Sequence, residues 1–307
     1  MISVVIVNWN SGPLLESCVQ SLFRNAAGSQ IVIVDNDSTD SSLQFAEIIP
    51  GPLIVRNSRN IGFAAANNLG WRASPGTSVL FLNPDTECFP ESAACLEQVL
   101  AADKSIWAAG GQLVNLAGER QSGYVRLFPS IRTVAAEMLL IDKIWPSNPW
   151  SGINRVAGST REMDVDQPAA ACLMVSRTAL EKTGGFDESF RPAWFEDVDL
   201  CRRIRNQGGR IRYQPRARFL HHGGYSLGRL SWQDFLECFH ANQIRYFQKH
   251  QGTQAALRVR RLIVTGLLLR SGLSLVRPLA PNESRKNSAK TYWSAACHIS
   301  KLSEAIT

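Results

Sequence analysis

The sequence predicts an α/β protein: an open, mostly parallel, Rossmann-like sheet with helices on both faces, followed by a C-terminal helical segment. Three observations predict it. Residues 3–8, 30–35, 53–56 and 78–82 are short apolar or β-branched runs. The stretches between them are long enough for helices, and the runs lack a polar face, as strands covered on both sides do. Finally, Asn8, Asp35 and Asp85 fall at or just beyond the carboxyl ends of these runs, where open α/β sheets bind ligands.

Further along the chain the pattern loosens and then returns. Residues 110–167 are irregular and rich in Trp, Pro and Gly, as in Trp145-Pro-Ser-Asn-Pro-Trp150, and predict loops and a helix laid over the ligand site. Residues 169–176 predict a buried strand. Residues 177–183 predict a helix stopped by Gly184-Gly185, and 196–206 a helix stopped by Gly208-Gly209. Ser231 caps a helix expected to reach about His250. The apolar segment 257–276 is too interrupted for a membrane span, which needs roughly 20 apolar residues. Its apolar positions run nearly all round a helix, so burial competes with an in-plane membrane anchor. The expected division is a catalytic domain over 1–230 and a helical, membrane-associating extension over 231–307.

The chain has 307 residues, 45% hydrophobic and 19% charged, enough to bury a full core, so disorder is excluded as the default. Its seven cysteines are scattered, with no C-x-x-C pair, which suits a reducing cytosol. The run from Met1 to Asn8 lacks a basic leader, so a cytoplasmic location is expected. The net charge of +7 comes without a zinc-finger or RNA-binding fingerprint, which argues against nucleic acid as a partner. From Arg245 onward basic residues such as Arg258, Arg261 and Arg270 are opposed only by Glu283 and Glu304. That asymmetry fits peripheral contact with an anionic membrane; a solvated basic tail is the plainer alternative.

Four clusters carry chemistry. Val34-Asp35-Asn36-Asp37-Ser38-Thr39-Asp40 offers acceptors for a pyrimidine imide and a ribose hydroxyl, although Asp, Asn and Ser also favour plain turns and caps. Leu82-Asn83-Pro84-Asp85 places a carboxylate at the sheet's ligand edge, where it can hold Mg²⁺ or Mn²⁺, hard ions that favour oxygen; a structural Asn-Pro-Asp turn is the alternative. Trp194-Phe195-Glu196-Asp197-Val198-Asp199 puts acids at a helix start, which suits the helix dipole by itself. Asp199 has Arg202 and Arg203 within pairing distance. Asp197 is left as a base that crowding by its neighbours would strengthen, with Trp194 and Glu196 beside it on the acceptor side. His221-His222-Gly223-Gly224 offers a neutral imidazole ligand and close backbone approach, or a surface histidine pair.

In this order, Val-Val-Ile-Val-Asn8-Trp-Asn, Val-Asp35-Asn-Asp37-Ser-Thr-Asp, Asn60-Ile-Gly62-Phe, Leu-Asn83-Pro-Asp85, Gly184-Gly-Phe-Asp-Glu-Ser-Phe, Phe-Glu196-Asp197-Val-Asp199 and His221-His-Gly-Gly resemble the family 2 glycosyltransferases. The resemblance spans residues 2–230, is to the GT-A fold, and is strongest toward the rhamnosyltransferase-like branch. It implies an inverting, metal-dependent hexosyltransferase of cell-surface polysaccharide synthesis. L-rhamnose from dTDP-rhamnose is the expected donor sugar, with UDP-galactofuranose or a UDP-hexose as alternatives, and a glycan or lipid-linked acceptor receives it. A non-catalytic nucleotide-sugar binder is the remaining alternative, opposed by the presence of both Asp85 and Asp197. On matching positions, Asp35 and Asp37 line the base and ribose pocket, and Asn8, Asn60 and Gly62 bind the donor. Asp85 is the last acid of the family's D-x-D motif and Asp197 the base. Asn83 stands where the first acid usually does, and His221, or His222 in its place, makes good the lost metal ligand.

Overall fold

The structure, a computed structural model, describes residues 1–152, 159–223, 230–276 and 285–302, without the side chains of 285 and 286. Gly224, Tyr225 and Ser226 of the expected glycine-rich loop, and Glu283 and Glu304, lie outside the described residues. Two compact units are present: Met1–Phe128 with Ile153–Ser226, and Pro129–Gly152 with Leu227–Thr307.

The first unit opens with β1 (Ile2–Asn8), α1 (Pro13–Asn25), β2 (Gln30–Asp35), α2 (Gln44–Ile48), β3 (Leu53–Arg56), α3 (Phe63–Ala73) and β4 (Ser78–Leu82). It continues through β5 (Thr86–Cys88), α4 (Ser92–Ala102), β6 (Ile106–Val114) and β7 (Val125–Arg126). The chain then supplies α5 (Ile131–Met138) and α6 (Ile141–Ile144) to the second unit. Back in the first unit come β8 (Met163–Asp164), β9 (Gln167–Pro168), β10 (Cys172–Ser176), α7 (Arg177–Thr183), α8 (Glu196–Asn206) and β11 (Arg210–His221). The second unit ends with α9 (Trp232–Gln251), α10 (Thr253–Val276) and α11 (Arg285–Lys301).

Along the sheet the order is β3-β2-β1-β4-β10-β6-β11-β5, with β8 pairing to β11. The β3-β2-β1-β4 half is parallel, as the short apolar runs imply. The antiparallel insertion of β10 between β4 and β6 makes the sheet mixed but mostly parallel. Alternation builds a core on each face: Val4, Ile6, Ile33, Leu80 and Met174 pack on the α1 and α4 side. Their neighbours Val5, Val34, Phe81 and Leu173 pack with α3, α7 and α8. Successive strand side chains point to opposite faces, so a strand buried on both needs apolar residues throughout.

The region 110–167 is more ordered than its composition predicts. Gly110 to Val114 complete β6, and short β7 and β9 form a separate two-stranded ladder. Residues 131–138 and 141–144 are helical and belong to the second unit, where α5 packs on α10. Short strands of two residues carry no readable period, because their partners are far away in sequence.

In the second unit, α10 resolves the choice between burial and exposure by dividing its circumference. Ala255, Val259, Ile263 and Leu267 are buried, in a unit where α10 packs on α5, α9 and α11. Arg258, Arg261, Leu268, Leu269, Leu273 and Val276 are exposed and share one face about 140° wide at ~100° per residue. No helix among the described residues is long and apolar enough to cross a membrane.

Candidate active site

Asn8 and Asp35 are register partners at the ends of β1 and β2. Asn8 is fully buried, and its Nδ2 donates to Asp35 Oδ1 at 2.8 Å and to Ser42 Oγ at 2.9 Å. It therefore orients the carboxylate and the turn from beneath. Asp37 is exposed, in the left-handed conformation at φ 66°. Asn10, also left-handed, accepts from the amides of Thr39 and Asp40 at 2.7 and 3.1 Å and holds that turn open.

Asn36 organises the next segment. Its Oδ1 accepts from the Ile61 amide at 3.0 Å, and its Nδ2 donates to Asn60 Oδ1 at 2.8 Å. The Asn60 oxygen also accepts from the Gly62 amide at 2.9 Å, so the Asn60 oxygen is committed to the loop's own backbone. Gly62 has φ 89°, and a Cβ there would lie 3.1 Å from the Pro192 carbonyl, which accepts from Phe63 N at 2.9 Å. Only glycine meets both demands without strain. The contact joins the Asn60–Gly62 turn to the chain that leads into Trp194.

Asp85 owes its position to β5, which pairs antiparallel with the end of β11 and sets Thr86 opposite His221. The His222 amide donates to the Asp85 carbonyl at 2.9 Å. Asp85 and His221 are both buried, with Asp85 Oδ1 3.6 Å from His221 Nε2. His222 turns instead to Glu87, 3.0 Å from its Oε1. Burial lowers the His221 pKa, against the opposing pull of Asp85, which keeps the imidazole neutral and able to act as a ligand. Asp85 Oδ1 and Asn83 Oδ1 are buried acceptors without hydrogen-bond partners. Orphaned oxygens beside a neutral imidazole are a donor set that fits a hard divalent ion. Among the described residues no group of three or more His, Cys, Asp or Glu could hold an ion. An ion here would complete its shell with further oxygens and water, as Mg²⁺ commonly does.

Asp197 stands in the first turn of α8, behind two consecutive left-handed aromatics, Trp194 at φ 76° and Phe195 at φ 72°. Such conformations cost ~1–3 kcal/mol each and gather at functional sites. The carboxylate accepts from Ala170 N at 3.0 Å and from Val198 N at 2.8 Å. Burial raises its pKa, while these amides and the charge of Arg126 pull it down. Crowding by neighbouring acids, expected from the sequence, is not what raises it; that charge falls on Glu196. Glu196 is buried with Oε2 unpartnered, and burial first, then Asp197, raises its pKa well above the ordinary range. Asp199 is fully buried and pairs with Arg203 at 2.7 Å rather than with Arg202, whose guanidinium lies over the Phe128 ring at 5.0 Å.

The structure thus joins Asn8 to Asp35, Asn60 to Gly62, and Asp85 to His221. Gln121, Tyr124, Arg126 and Ala170 around these groups belong to no motif, and pairing through the end of β6 and through β5, β7, β9 and β11 brings them in. Asn36 lay inside a recognised motif without a role.

Residues 3–142 match the family model described as glycosyl transferase family 2. Those residues form a family 2 glycosyltransferase domain. The matched stretch contains Asp35, Asp37, Asn60, Asn83 and Asp85, whereas Asp197 and His221 lie beyond it. The chain is 28% identical over 305 residues to the N-acetylglucosaminyl-diphospho-decaprenol L-rhamnosyltransferase of Mycobacterium tuberculosis, spanning 93% of this chain and 96% of that protein. Its fold is similar to GalNAc-T7 with UDP, GalNAc and Mn²⁺ at a TM-score of 0.60 and 15% identity, covering 100% of this chain and 57% of the other. The mannosyltransferase PcManGT of Pyrobaculum calidifontis, in complex with GDP-Man and Mn²⁺, gives 0.58 and 16%, covering 99% and 88%. The fold of the chain is GT-A, a mostly parallel sheet with helices on both faces and a C-terminal helical segment.

Proposed function

We propose that the chain is an inverting hexosyltransferase that moves L-rhamnose from dTDP-rhamnose to a lipid-linked N-acetylglucosaminyl diphosphate in cell-surface polysaccharide synthesis. The observation that carries the chemistry is Asp197, a desolvated carboxylate held in place by two backbone amides at a strained turn. The sugar and acceptor rest on the near end-to-end similarity to the mycobacterial rhamnosyltransferase.

In this reading Asp197 takes the proton of an acceptor hydroxyl as its oxygen forms a bond to the anomeric carbon. The bond from that carbon to the donor diphosphate breaks, the nucleoside diphosphate leaves, and the configuration inverts. Trp194 and Glu196 shape the acceptor side. Asp35 and Asp37 receive the base and ribose, with Asn8 holding Asp35 and with Asn60 and Gly62 setting the donor-side loop. Asp85 and His221, beside Asn83, would hold Mg²⁺ or Mn²⁺. When bound, the ion supplies positive charge for the departing diphosphate. Desolvation of Asp197 makes it a stronger base at neutral pH than an exposed aspartate.

The division into a catalytic domain over 1–230 and a helical extension over 231–307 belongs to the same proposal. The exposed α10 face, with Arg258 and Arg261 beside Leu268, Leu269 and Leu273 and no acidic residue on the helix, fits the surface of an anionic lipid bilayer at the cytoplasmic side. The deciding experiment supplies dTDP-rhamnose, UDP-galactofuranose and UDP-glucose separately with N-acetylglucosaminyl-diphospho-polyprenol and Mn²⁺. Rhamnosylated lipid of inverted configuration is expected from the first donor only; transfer from a uridine donor instead would overturn the assignment.

A further inference from the structure

We propose that Gln121 is a positioning residue that fixes the tautomer of His221 and so presents its bare Nε2 toward Asp85. The inference rests on Asp85 and His221 as the holders of a divalent ion, and it assigns Gln121 a role in preparing that site.

Hydrogen-bond logic leaves one arrangement. Gln121 Nε2 donates to the His221 carbonyl at 2.8 Å. A carbonyl only accepts, so this bond fixes which end of the amide is nitrogen. The other end, Oε1, lies 2.9 Å from His221 Nδ1. An amide oxygen also only accepts, so Nδ1 carries the proton, and in a neutral imidazole Nε2 is then the lone pair. That lone pair is 3.6 Å from Asp85 Oδ1, itself buried and without a partner. Two acceptors facing each other in a buried site are unfavourable without a cation.

The surroundings lock the same state. Tyr124 packs edge-on against the imidazole, with centroids 4.9 Å apart at 80°. The Gln121 amide donates to the Leu113 carbonyl at 3.0 Å, and Val114 bridges Arg120, so the turn after β6 holds Gln121 in register with β11. Gln121 touches no reacting atom. Partners of this kind, which bond the far nitrogen of a ligating histidine, typically change metal affinity 10–100-fold when removed.

Two measurements test it. Long-range ¹H–¹⁵N correlation on the metal-free wild-type chain, with His221→Ala to assign the signal, should show His221 protonated at Nδ1; protonation at Nε2 overturns the proposal. Mn²⁺ alone, titrated by EPR, should bind Gln121→Met roughly 10–100-fold more weakly than wild type at an unchanged metal-free melting temperature. Gln121→Glu, which keeps an acceptor for Nδ1–H and loses the bond to the carbonyl, should stay within a few-fold of wild type. Wild-type affinity in folded Gln121→Met overturns the proposal, and if that variant does not fold, the tautomer and Gln121→Glu decide. Equal Mn²⁺ binding by wild type and His221→Ala instead removes the ion site, while the tautomer measurement still judges Gln121.

Discussion

At the scale of single residues, α8 carries three acids with three environments, and each predicts a different response. Asp197 is desolvated yet bonded by amides, so Asp197→Asn should keep donor affinity and lose roughly 10²-fold or more in turnover. Asp199 is spent on Arg203; Asp199→Asn should lower stability by something of order 3 kcal/mol, as loss of a buried partner does, and leave the turnover of folded protein largely intact. Initial rates, donor binding and melting curves of both variants check this. Because burial raises the Asp197 pKa, activity should fall with decreasing pH through a value above the ordinary aspartate value of ~3.9, read from the acid limb of kcat/KM. Glu196 gives a stability prediction. Its folded pKa is raised well above the unfolded one. The stability it contributes is therefore complete below the unfolded pKa of ~4.3 and is lost as pH rises toward the folded value. Glu196→Gln cannot ionise, so it should melt at a higher temperature than wild type at pH 8 and with little difference at pH 4. Equal shifts at both pH values would contradict the buried-carboxyl account.

At the scale of elements, the position of Asp197, the proposed base, rests on a crossing of β6 and β9. A Cβ on Gly110 would fall 2.4 Å from Pro168 Cβ and 2.8 Å from its Cγ. A proline ring cannot swing aside, so β9 must move as a whole, and Ala170, two residues on, carries the amide bonded to Asp197. Gly110→Ala should therefore cost ~1–3 kcal/mol, as overpacking does, and reduce turnover more than donor affinity. Calorimetry with steady-state kinetics checks both; full turnover in the folded variant would show that Ala170 does not position the base. The elements readable from sequence were those with local signals. The first four strands, and the helices at Arg177–Thr183 and Glu196–Asn206, stand where apolar runs and glycine stops place them. By contrast β5, β7, β8 and β9 are two or three residues long; they exist because distant partners pair with them, and no local pattern announces them.

For the whole molecule, the unequal circumference of α10 yields the remaining prediction. Sedimentation with vesicles containing phosphatidylserine should carry the chain down at low salt and release it as salt rises, because surface attraction is screened within a Debye length. Arg258→Gln with Arg261→Gln removes two charges at ~1 kcal/mol each, roughly a 30-fold loss of vesicle affinity. Leu268→Ser with Leu273→Ser should weaken binding at every salt concentration, since it removes apolar contact instead of charge. Salt-independent binding, or none, would discard the membrane face.

The sequence by itself determined the sheet's parallel half, the placement of Asn8, Asp35 and Asp85 at or just beyond its carboxyl ends, and Asp35, Asp85, Asp197 and His221 as candidate site residues. Those rest on continuous apolar runs, caps and short motifs, all of which act between near neighbours in the chain. Tertiary structure decided what each group faces. It buried Asn8 under Asp35, turned the Asn60 oxygen inward and paired Asp199 with Arg203. It set His221 rather than His222 beside Asp85 and brought Gln121, Arg126 and Ala170 to atoms far away in sequence. Burial and hydrogen-bond partners set pKa and tautomer, and both are fixed by residues that meet only when the strands pair, so no window of sequence contains them.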